Sequence, residues 1–225
     1  MKEWLAREAE IYRLFADDDR NTANPKFLGW DEQSCTLTLE YQCNGDLVTY
    51  VKDTIGTVDI YLVTRGKWGT QAAQALASLH DKGVIHSDFA TRNFLLNENL
   101  DLCTCDFPGS FFASSPDPTS EPGSRYQERP WRWDYVPTEA DDVFGLGSVL
   151  YYIMAGEEPD SDLDDDEVDR RFQTQEFPET SLLPYGSVVR DCWMGHLTTA
   201  RGGARDRGYA GETGVASRKG SIPIK

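Results

Sequence analysis

The stretch from His86 to Gly109 constrains this chain more than any other part of its sequence. It begins HSDFATRN and ends DFPG, and between these motifs lie two short apolar runs, Phe94 to Leu96 and Leu100 to Cys105. A polar turn, NEN, separates the two runs. Apolar runs on either side of a polar turn predict a β-hairpin. The stretch therefore predicts a hairpin with polar motifs at both of its ends.

Three polar side chains flank this hairpin, Asp88 and Asn93 before its first strand and Asp106 after its second. A hairpin brings those two points together, so we expect the three side chains to be neighbours. They are the residue types that a phosphoryl-transfer site needs. One carboxylate accepts the proton of the attacking hydroxyl, while an amide and a second carboxylate hold Mg²⁺. The pattern predicts a site for Mg²⁺ and ATP.

These motifs resemble those of eukaryotic-type protein kinases. His86, Asp88 and Asn93 match the catalytic loop, in which Asn follows Asp by five residues, and Asp106 opens a match to Asp-Phe-Gly 18 residues after Asp88. The resemblance implies that Asp88 is the catalytic base and that Asn93 and Asp106 are the metal ligands. Arg92, four residues after Asp88, resembles the tyrosine-kinase form of the loop, where an arginine faces the transferred phosphate. The implied cofactors are ATP and Mg²⁺.

The run LEYQCNG, from Leu39 to Gly45, resembles the strand and hinge that hold adenine in kinases. The resemblance implies that Leu39 is the gatekeeper and that Leu95 forms the floor of the adenine pocket. Glu40 and Gln42 would be the hinge residues that bind the nucleotide.

Further matches follow in the order that the family has them. Glu8 resembles the glutamate of kinase helix C, and the run beginning at Asp141 resembles the long central helix of the C-lobe. In that helix Asp142 would brace the catalytic loop through backbone hydrogen bonds. Cys192-Trp193 resembles a pair late in many tyrosine-kinase-like domains. The overall character is that of a divergent fungal protein kinase-like domain.

The sequence also departs from the family pattern. The Gly-rich loop and the strand lysine of kinases precede helix C, but Met1 is only seven residues before Glu8. The resemblance is therefore to an N-terminally truncated kinase, in which Glu8 lacks its expected partner. Ser87 replaces the arginine that usually reads a phosphorylated activation segment, and Pro108 replaces the glycine of Asp-Phe-Gly. Proline restricts backbone rotation at that motif.

The predicted fold is α+β, a protein kinase-like fold with a mostly α C-lobe and a truncated β N-lobe. Apolar spacing and turn residues predict these elements: helix Lys2–Phe15, strands Lys26–Trp30 and Cys35–Glu40, a short helix from Asp46, helix Trp68–Leu79, a helix from Thr138 with one buried face, and an amphipathic piece Ser181–Trp193. We divide the chain into an N-lobe remnant (1–45), a C-lobe (46–200) and a disordered Gly/Arg-rich tail (201–225).

The formal net charge of −16 argues against nucleic acid or an anionic membrane surface as a partner. Much of it lies in one run, Glu157 to Asp169, which we interpret as a solvated loop; a basic docking partner is the alternative. The five cysteines have no zinc-binding spacing. Without a signal peptide or a membrane-spanning segment, the sequence predicts an intracellular, cytoplasmic protein.

Three functions remain open from the sequence. The first is a protein kinase that transfers phosphate from ATP to a Ser, Thr or Tyr hydroxyl of a protein substrate. The second is a pseudokinase or scaffold fragment that binds a partner without turnover. The third is a small-molecule phosphotransferase of the aminoglycoside or choline type, whose loop also reads His-x-Asp. The run from Asp142 and the Cys192-Trp193 pair favour the first two over the third.

Overall fold

The computed structural model describes residues 2–18, 22–54, 62–112, 121–128, 132 and 134–200. The tail predicted at 201–225 lies outside the described residues. In chain order the elements are α1 (Lys2–Arg13), β1 (Phe27–Asp31), β2 (Thr36–Leu39), α2 (Leu47–Thr54), α3 (Leu62–Asp81), β3 (Phe94–Leu96), β4 (Leu102–Thr104), α4 (Glu139–Ala155), α5 (Asp165–Gln173) and α6 (Gly186–Trp193). Short 3₁₀ turns lie at Thr91–Asn93 and Ser124–Tyr126. This is the helix-rich α+β kinase-like fold that the sequence predicted.

The described strands form two antiparallel hairpins. In the first, Phe27 of β1 lies opposite Leu39 of β2. In the second, Leu95 of β3 lies opposite Cys103 of β4, so the hairpin predicted from the motif stretch is confirmed. Its second strand is shorter than the apolar run, because only Leu102–Thr104 pairs with β3.

Helix α1 packs against β1 and β2 through the apolar face that its spacing predicted. Ile11 and Tyr12 of α1 are buried, as is Phe15, which lies just after the helix because α1 ends at Arg13 and not at the predicted Phe15. All three belong to the same core cluster as residues of α3 and α4. Trp4 is different, since its side chain is 51% exposed although the spacing puts it on the apolar face. The buried part of α1 therefore shares one core with the rest of the described chain.

Helix α3 is longer than the predicted Trp68–Leu79, because it begins at Leu62 and ends at Asp81. Its first turn faces solvent: Leu62 is 61% exposed and Val63 is 83% exposed. The buried face of α3 therefore begins only at Trp68. For this reason the apolar spacing in the sequence predicts only the part of the helix from Trp68 onward. The Trp68 Nε1 donates to the Leu100 carbonyl over 2.9 Å, which attaches α3 to the β3–β4 turn.

Helix α4 begins with the predicted capping box, in which Thr138 and Asp141 each satisfy a backbone amide of the other. Gly156 ends the helix with φ +85°, a conformation that favours glycine. The sequence predicted one buried face, but α4 is buried almost all round because α3, α6 and the loop before β3 surround it. A Cβ on Gly145 would lie 2.5 Å from the Phe89 carbonyl oxygen, so glycine permits this close approach. None of the helices in the described ranges is long and apolar enough to cross a bilayer.

The acidic run from Glu157 to Asp169 is only in part the solvated loop that we predicted. Helix α5 begins at Asp165, and the Asp164 side chain caps it by accepting from the Glu167 amide at 2.9 Å. Val168 and Phe172 are buried and attach the helix to the core. The prediction was wrong for 165–169 because acidic residues in a first helical turn are stabilised by the helix dipole. Only two apolar anchors, four residues apart, indicate the helix.

Candidate active site

The β3–β4 hairpin brings the two polar motifs together through backbone hydrogen bonds. Asn93 ends the 3₁₀ turn that leads into β3, and its carbonyl accepts from the Cys105 amide at 2.9 Å. Asp106 follows Cys105 directly and has φ +70°. The chain therefore bends sharply at Asp106, beside the backbone of Asn93.

Asp88 is the centre of a hydrogen-bonded set within its own loop. Asn93 Nδ2 donates to the Asp88 Oδ2 at 3.0 Å and to the Asp88 carbonyl at 2.8 Å. Arg92 Nη2 donates to Asp88 Oδ1 at 2.5 Å. The 3₁₀ turn makes these contacts possible, since it folds Arg92 and Asn93 back over Asp88. Three predicted site residues therefore contact one another.

Asp88 is 8% exposed, and this burial raises the pKa of its carboxyl above the usual range. The positive charge of Arg92 and the hydrogen bond from Asn93 act in the opposite direction. A partly desolvated carboxylate is a stronger base than an exposed one, because water no longer stabilises its charge. The environment of Asp88 thus suits a group that accepts a proton.

Asp106 and Asn93 offer the oxygen atoms that Mg²⁺ prefers. Asn93 is 4% exposed, and because its Nδ2 is used by Asp88, Oδ1 is the atom left for a metal ion. Asp106 is exposed. It directly follows Cys105, whose backbone amide donates a hydrogen bond to the Asn93 carbonyl. A carboxylate and an amide oxygen at adjacent backbone points are a donor set that fits a hard divalent cation.

Asp142 of α4 anchors the loop that precedes β3. The Asp142 carboxylate accepts from the His86 amide at 2.7 Å and from the Ser87 amide at 2.9 Å, which confirms the predicted bracing. His80 Nε2 lies 3.0 Å from the same carboxylate, in a contact that the sequence did not predict. Ser87 has φ +65°, so the loop turns at the residue that Asp142 anchors. His86 Nε2 in turn contacts the Cys105 carbonyl at 3.1 Å and joins the loop to the strand end before Asp106.

The predicted hinge is attached to the hairpin but makes no described contact with Asp88. The Leu96 amide donates to the Gly45 carbonyl at 2.9 Å, and Asp46 forms an isolated bridge with Leu95. Leu95 is half-buried on the strand face opposite to its two buried neighbours in β3. Leu39, also half-buried, ends β2. The Leu95 side chain thus offers apolar surface beside the hinge.

The side chains of Glu40 and Gln42 have surroundings that the sequence did not predict. Gln42 is buried, and its Nε2 donates to the Glu40 carbonyl at 3.2 Å. Both residues line a cavity that they share with Tyr12 and Asn24. Their side chains therefore belong to a second feature of the structure, while their backbone groups remain candidates for the hinge.

Glu8 of α1 is buried close to the Asp106 motif. Its Oε1 accepts from the Phe107 amide at 3.4 Å, and its side chain is in no ion pair among the described residues. Burial raises the pKa of Glu8 to about 7, the Phe107 amide opposes this rise, and the negative charge of Asp106 adds to it. Arg7, the preceding residue, donates to the Pro108 carbonyl at 3.4 Å. Two neighbouring residues of α1 thus hold the backbone that follows Asp106.

The raised pKa of Glu8 predicts a pH-dependent effect of Glu8→Gln. The folded protein binds this proton more tightly than the unfolded chain does, so the stability it contributes is present at low pH and is lost as pH rises through about 7. A rise from 4.5 to about 7 corresponds to about 3 kcal/mol. We expect Glu8→Gln to increase the free energy of unfolding by about 2–3 kcal/mol at pH 8 and to change it little at pH 5.

Urea unfolding at the two pH values, in the presence of a metal chelator, measures this effect. Glu32→Gln, in the exposed turn between β1 and β2, is the matched control. It should change the free energy of unfolding very little at either pH. An effect of Glu8→Gln that is the same at pH 5 and pH 8 would contradict the assignment.

Sequence reasoning missed a polar cluster beside the catalytic loop. The Thr91 hydroxyl and the Tyr126 hydroxyl lie 2.5 Å apart, and both contact the Glu158 carboxylate at 2.6–2.8 Å. Arg125 donates to the carbonyls of Pro159, Asp160 and Leu163. The cluster joins the loop of Asp88 to the segments 124–126 and 157–163. No signal in the sequence shows it, because the partners are 32 or more residues apart.

Of the two cysteines that the sequence predicted to be buried in one strand, Cys103 is buried in β4, while Cys105 is half-buried and follows the strand. Burial raises the pKa of Cys103 to about 12 and raises that of Cys105 further. Both sulfurs lie near backbone carbonyls, those of Leu95 and Asn93. Within the described ranges no group of three or more metal-ligating side chains includes a cysteine or histidine. These thiols therefore pack the hairpin.

A loop that holds Asp88 and Asn93, a hairpin that returns to Asp106 and a buried helix that braces the loop define the class of proteins with a kinase fold. A family model described as protein tyrosine and serine/threonine kinase matches residues 3–199. The chain therefore belongs to the protein kinase family.

Individual relatives match shorter parts of the chain. 3-phosphoinositide-dependent protein kinase 1 from Rattus norvegicus is 30% identical over 135 residues, which cover 57% of this chain and 23% of the rat protein. Serine/threonine-protein kinase PDK1 from Cryptococcus neoformans is 27% identical over 138 residues, 57% of this chain and 11% of that protein. Serine/threonine-protein kinase RUNKEL from Arabidopsis thaliana is 33% identical over 144 residues, 60% of this chain and 10% of that protein. The matched region is thus about a tenth to a quarter of the length of these relatives.

Proposed function

We propose that this chain transfers a phosphoryl group from ATP to a Ser, Thr or Tyr hydroxyl of a protein substrate. The observation that carries the proposal is the hydrogen-bonded set of Asp88, Arg92 and Asn93, which the β3–β4 hairpin joins to Asp106. Membership of the protein kinase family supports a protein substrate over an aminoglycoside or choline.

Each residue of the set has a role that its surroundings support. Asp88, partly desolvated and oriented by two donors, accepts the proton of the attacking hydroxyl. Arg92, with its side chain 48% exposed, can turn from Asp88 toward the transferred phosphate. Asn93 Oδ1 and the Asp106 carboxylate hold Mg²⁺, which when bound neutralises charge on the phosphate oxygens. The contact of Asn93 with Asp88 keeps the base and the metal ligand at a constant separation.

The adenine would lie between the gatekeeper Leu39 and the floor Leu95, with the backbone of Glu40 and Gln42 as its hydrogen-bonding edge. Leu95 supports this arrangement through its half-buried position beside the hinge. The Glu40 carbonyl already accepts from Gln42 Nε2, so the nucleotide would have to compete with that contact or share the carbonyl with it.

All five cysteines are free thiols, which supports the proposal of a reducing, cytoplasmic location.

A second candidate function is a scaffold of the kinase fold that binds a partner without turnover. Glu8 favours this second function. It corresponds to the glutamate of helix C in kinases, but its carboxylate is buried without a basic partner among the described residues. A protonated Glu8 would not orient a lysine toward the phosphates. The two candidates differ in turnover, and they can share nucleotide binding.

Thermal unfolding with and without Mg²⁺-ATP tests the proposal. Nucleotide at about ten times its Kd should raise the Tm by about 3–6 °C, because it binds the folded state alone. Asp106→Ala should abolish most of that rise, since it removes a proposed metal ligand whose side chain is exposed. The matched control is Asp166→Ala, an exposed carboxylate in the first turn of α5. A rise that Asp106→Ala retains in full would refute the assigned metal site, and no rise in any variant would refute nucleotide binding.

A further inference from the structure

A cavity of about 210 Å³ lies behind the hinge, away from the residues proposed for phosphoryl transfer. Its walls come from α1, from the connection between α1 and β1, from the hinge and from the β3–β4 hairpin. The side chains that matter for the argument are Tyr12, Phe15, Asn24, Pro25, Phe27 and Cys103. None of Asp88, Asn93 and Asp106 lines it.

Two buried polar side chains in this cavity lack hydrogen-bond partners among the described residues. They are Tyr12, whose hydroxyl is buried, and Asn24, whose Nδ2 and Oδ1 are both buried. Tyr12 is 1% exposed and Asn24 is 5% exposed. Buried polar atoms are almost always paired in folded proteins, because each unpaired one costs about 1–3 kcal/mol. Three such atoms around one cavity indicate that something else meets them.

The side-chain amide of Asn24 indicates the shape of that partner. An amide presents one donor and one acceptor side by side, whichever way the group is oriented. Its complement is another amide that offers an acceptor and an N–H on the same edge. A primary carboxamide and a cyclic lactam both have that edge.

The remaining walls favour a flat, uncharged molecule over a cluster of waters. The rings of Tyr12, Phe15 and Phe27 and the ring of Pro25 form apolar surface, and burial keeps the Cys103 thiol neutral by raising its pKa to about 12. One water can take the two to four polar partners it needs from the unpaired atoms of Tyr12 and Asn24, but a volume of about 210 Å³ leaves room against the rings for a larger molecule. The charged lining residues Asp18, Lys26 and Glu40 are all exposed, so the buried part of the cavity has no charge to pair with an ion.

We propose that this cavity is a binding site for a flat, neutral molecule of one ring that carries an amide edge, of the size of nicotinamide or uracil. The amide edge pairs with Asn24, and the Tyr12 hydroxyl makes a further polar contact. A bound molecule touches α1, the hinge and the hairpin at once, so it holds α1 against the hairpin. The cavity shares Glu40 and Gln42 with the hinge but none of Asp88, Asn93 and Asp106, so its test does not require the proposed turnover.

Thermal unfolding with nicotinamide and, separately, with uracil at millimolar concentration tests the proposal. We expect at least one of them to raise the Tm by about 3–6 °C at ten times its Kd. N,N-dimethylnicotinamide, which keeps the ring but lacks the N–H, should give no rise. Asn24→Leu, similar in volume, should abolish the rise without lowering the Tm of the ligand-free protein. Tyr12→Phe keeps the ring that packs at 5.0 Å from Phe107 and should weaken binding about 3- to 10-fold.

Asn99→Leu, at the exposed tip of the β3–β4 hairpin, is the control and should leave the rise unchanged. The proposal is overturned if neither molecule shifts the Tm, or if the dimethylated analogue shifts it equally. It is also overturned if Asn24→Leu and Tyr12→Phe lower the Tm of the ligand-free protein while no amide binds. That last result would mean that ordered water alone fills the cavity. The response to Mg²⁺-ATP, measured in the same samples, reports separately on the proposed function.

Discussion

Asp88→Asn is expected to lower the rate of phosphoryl transfer by about 10²- to 10⁴-fold, the usual contribution of a general base. The substitution keeps the size of the side chain, and its amide oxygen can still accept from Arg92 or Asn93. It removes a carboxylate whose pKa is raised by burial and which two hydrogen-bond donors orient to accept a proton. Binding of Mg²⁺-ATP should persist, because Asn93 and Asp106 hold the metal in our proposal. The measurement is the rate of ADP release with a mixed peptide library as the acceptor.

Asp166→Asn, on the exposed first turn of α5, is the control and should leave the rate unchanged. A loss of rate together with a lower Tm would reflect unfolding, so the Tm of each variant is measured in parallel. A rate that Asp88→Asn leaves intact contradicts the role of Asp88 as base. If the unsubstituted protein binds Mg²⁺-ATP and shows no turnover, the scaffold function is the correct one of the two candidates.

Asp142→Ala is expected to lower the free energy of unfolding by about 2–6 kcal/mol, because it leaves two buried backbone amides without an acceptor at about 1–3 kcal/mol each. The carboxylate is 2% exposed and accepts from His80, from the His86 amide and from the Ser87 amide. Alanine leaves both amides without an acceptor in the core. Ser87 has φ +65°, so a turn that is already uncommon for a non-glycine residue loses its anchor as well. Urea unfolding measures the change.

Asp141→Ala, one residue earlier in α4, is a graded control. Its exposed carboxylate completes the capping box with Thr138, so its loss should cost only about 1 kcal/mol. Asp142→Asn, which keeps one acceptor oxygen, should lie between the two. Equal effects of the two alanine substitutions would contradict the bracing of the loop by Asp142.

The two substitutions act on one continuous structure. Asp142 fixes the backbone of His86 and Ser87, and Asp88 is the next residue along the chain. On its other side the loop is held by Thr91, which contacts Tyr126 and Glu158. A weakened anchor at Asp142 should therefore reduce turnover even in the fraction of Asp142→Asn that remains folded.

The proximity of the proposed site residues was predictable from the sequence because it depends on short spacings. Asp88 and Asn93 are five residues apart within one loop, and a turn brings Asp106 back beside them. The bracing by Asp142 was predictable only from the family resemblance, since 56 residues separate it from His86. The identity of its third partner, His80, required the packing of α3 against α4.

Other features had no local signal. The first turn of α3 faces solvent, so its apolar residues Leu62 and Val63 do not continue the buried period. Helix α5 is specified by two anchors, Val168 and Phe172, within a run of charge that favours a loop by composition. In both cases the contact with distant elements outweighs the local pattern.

The order of the elements, the hairpin and the spacing of Asp88, Asn93 and Asp106 follow from the sequence alone, because periodicity and turn residues act over a few neighbours. The burial of particular polar groups away from water depends instead on the packing of the folded chain. This packing buries Glu8 without a basic partner among the described residues, which raises its pKa to about 7. It also brings Tyr12 and Asn24 around a cavity with no described partner for either. Desolvation depends on the packing of segments far apart in the chain, and no local pattern contains that information.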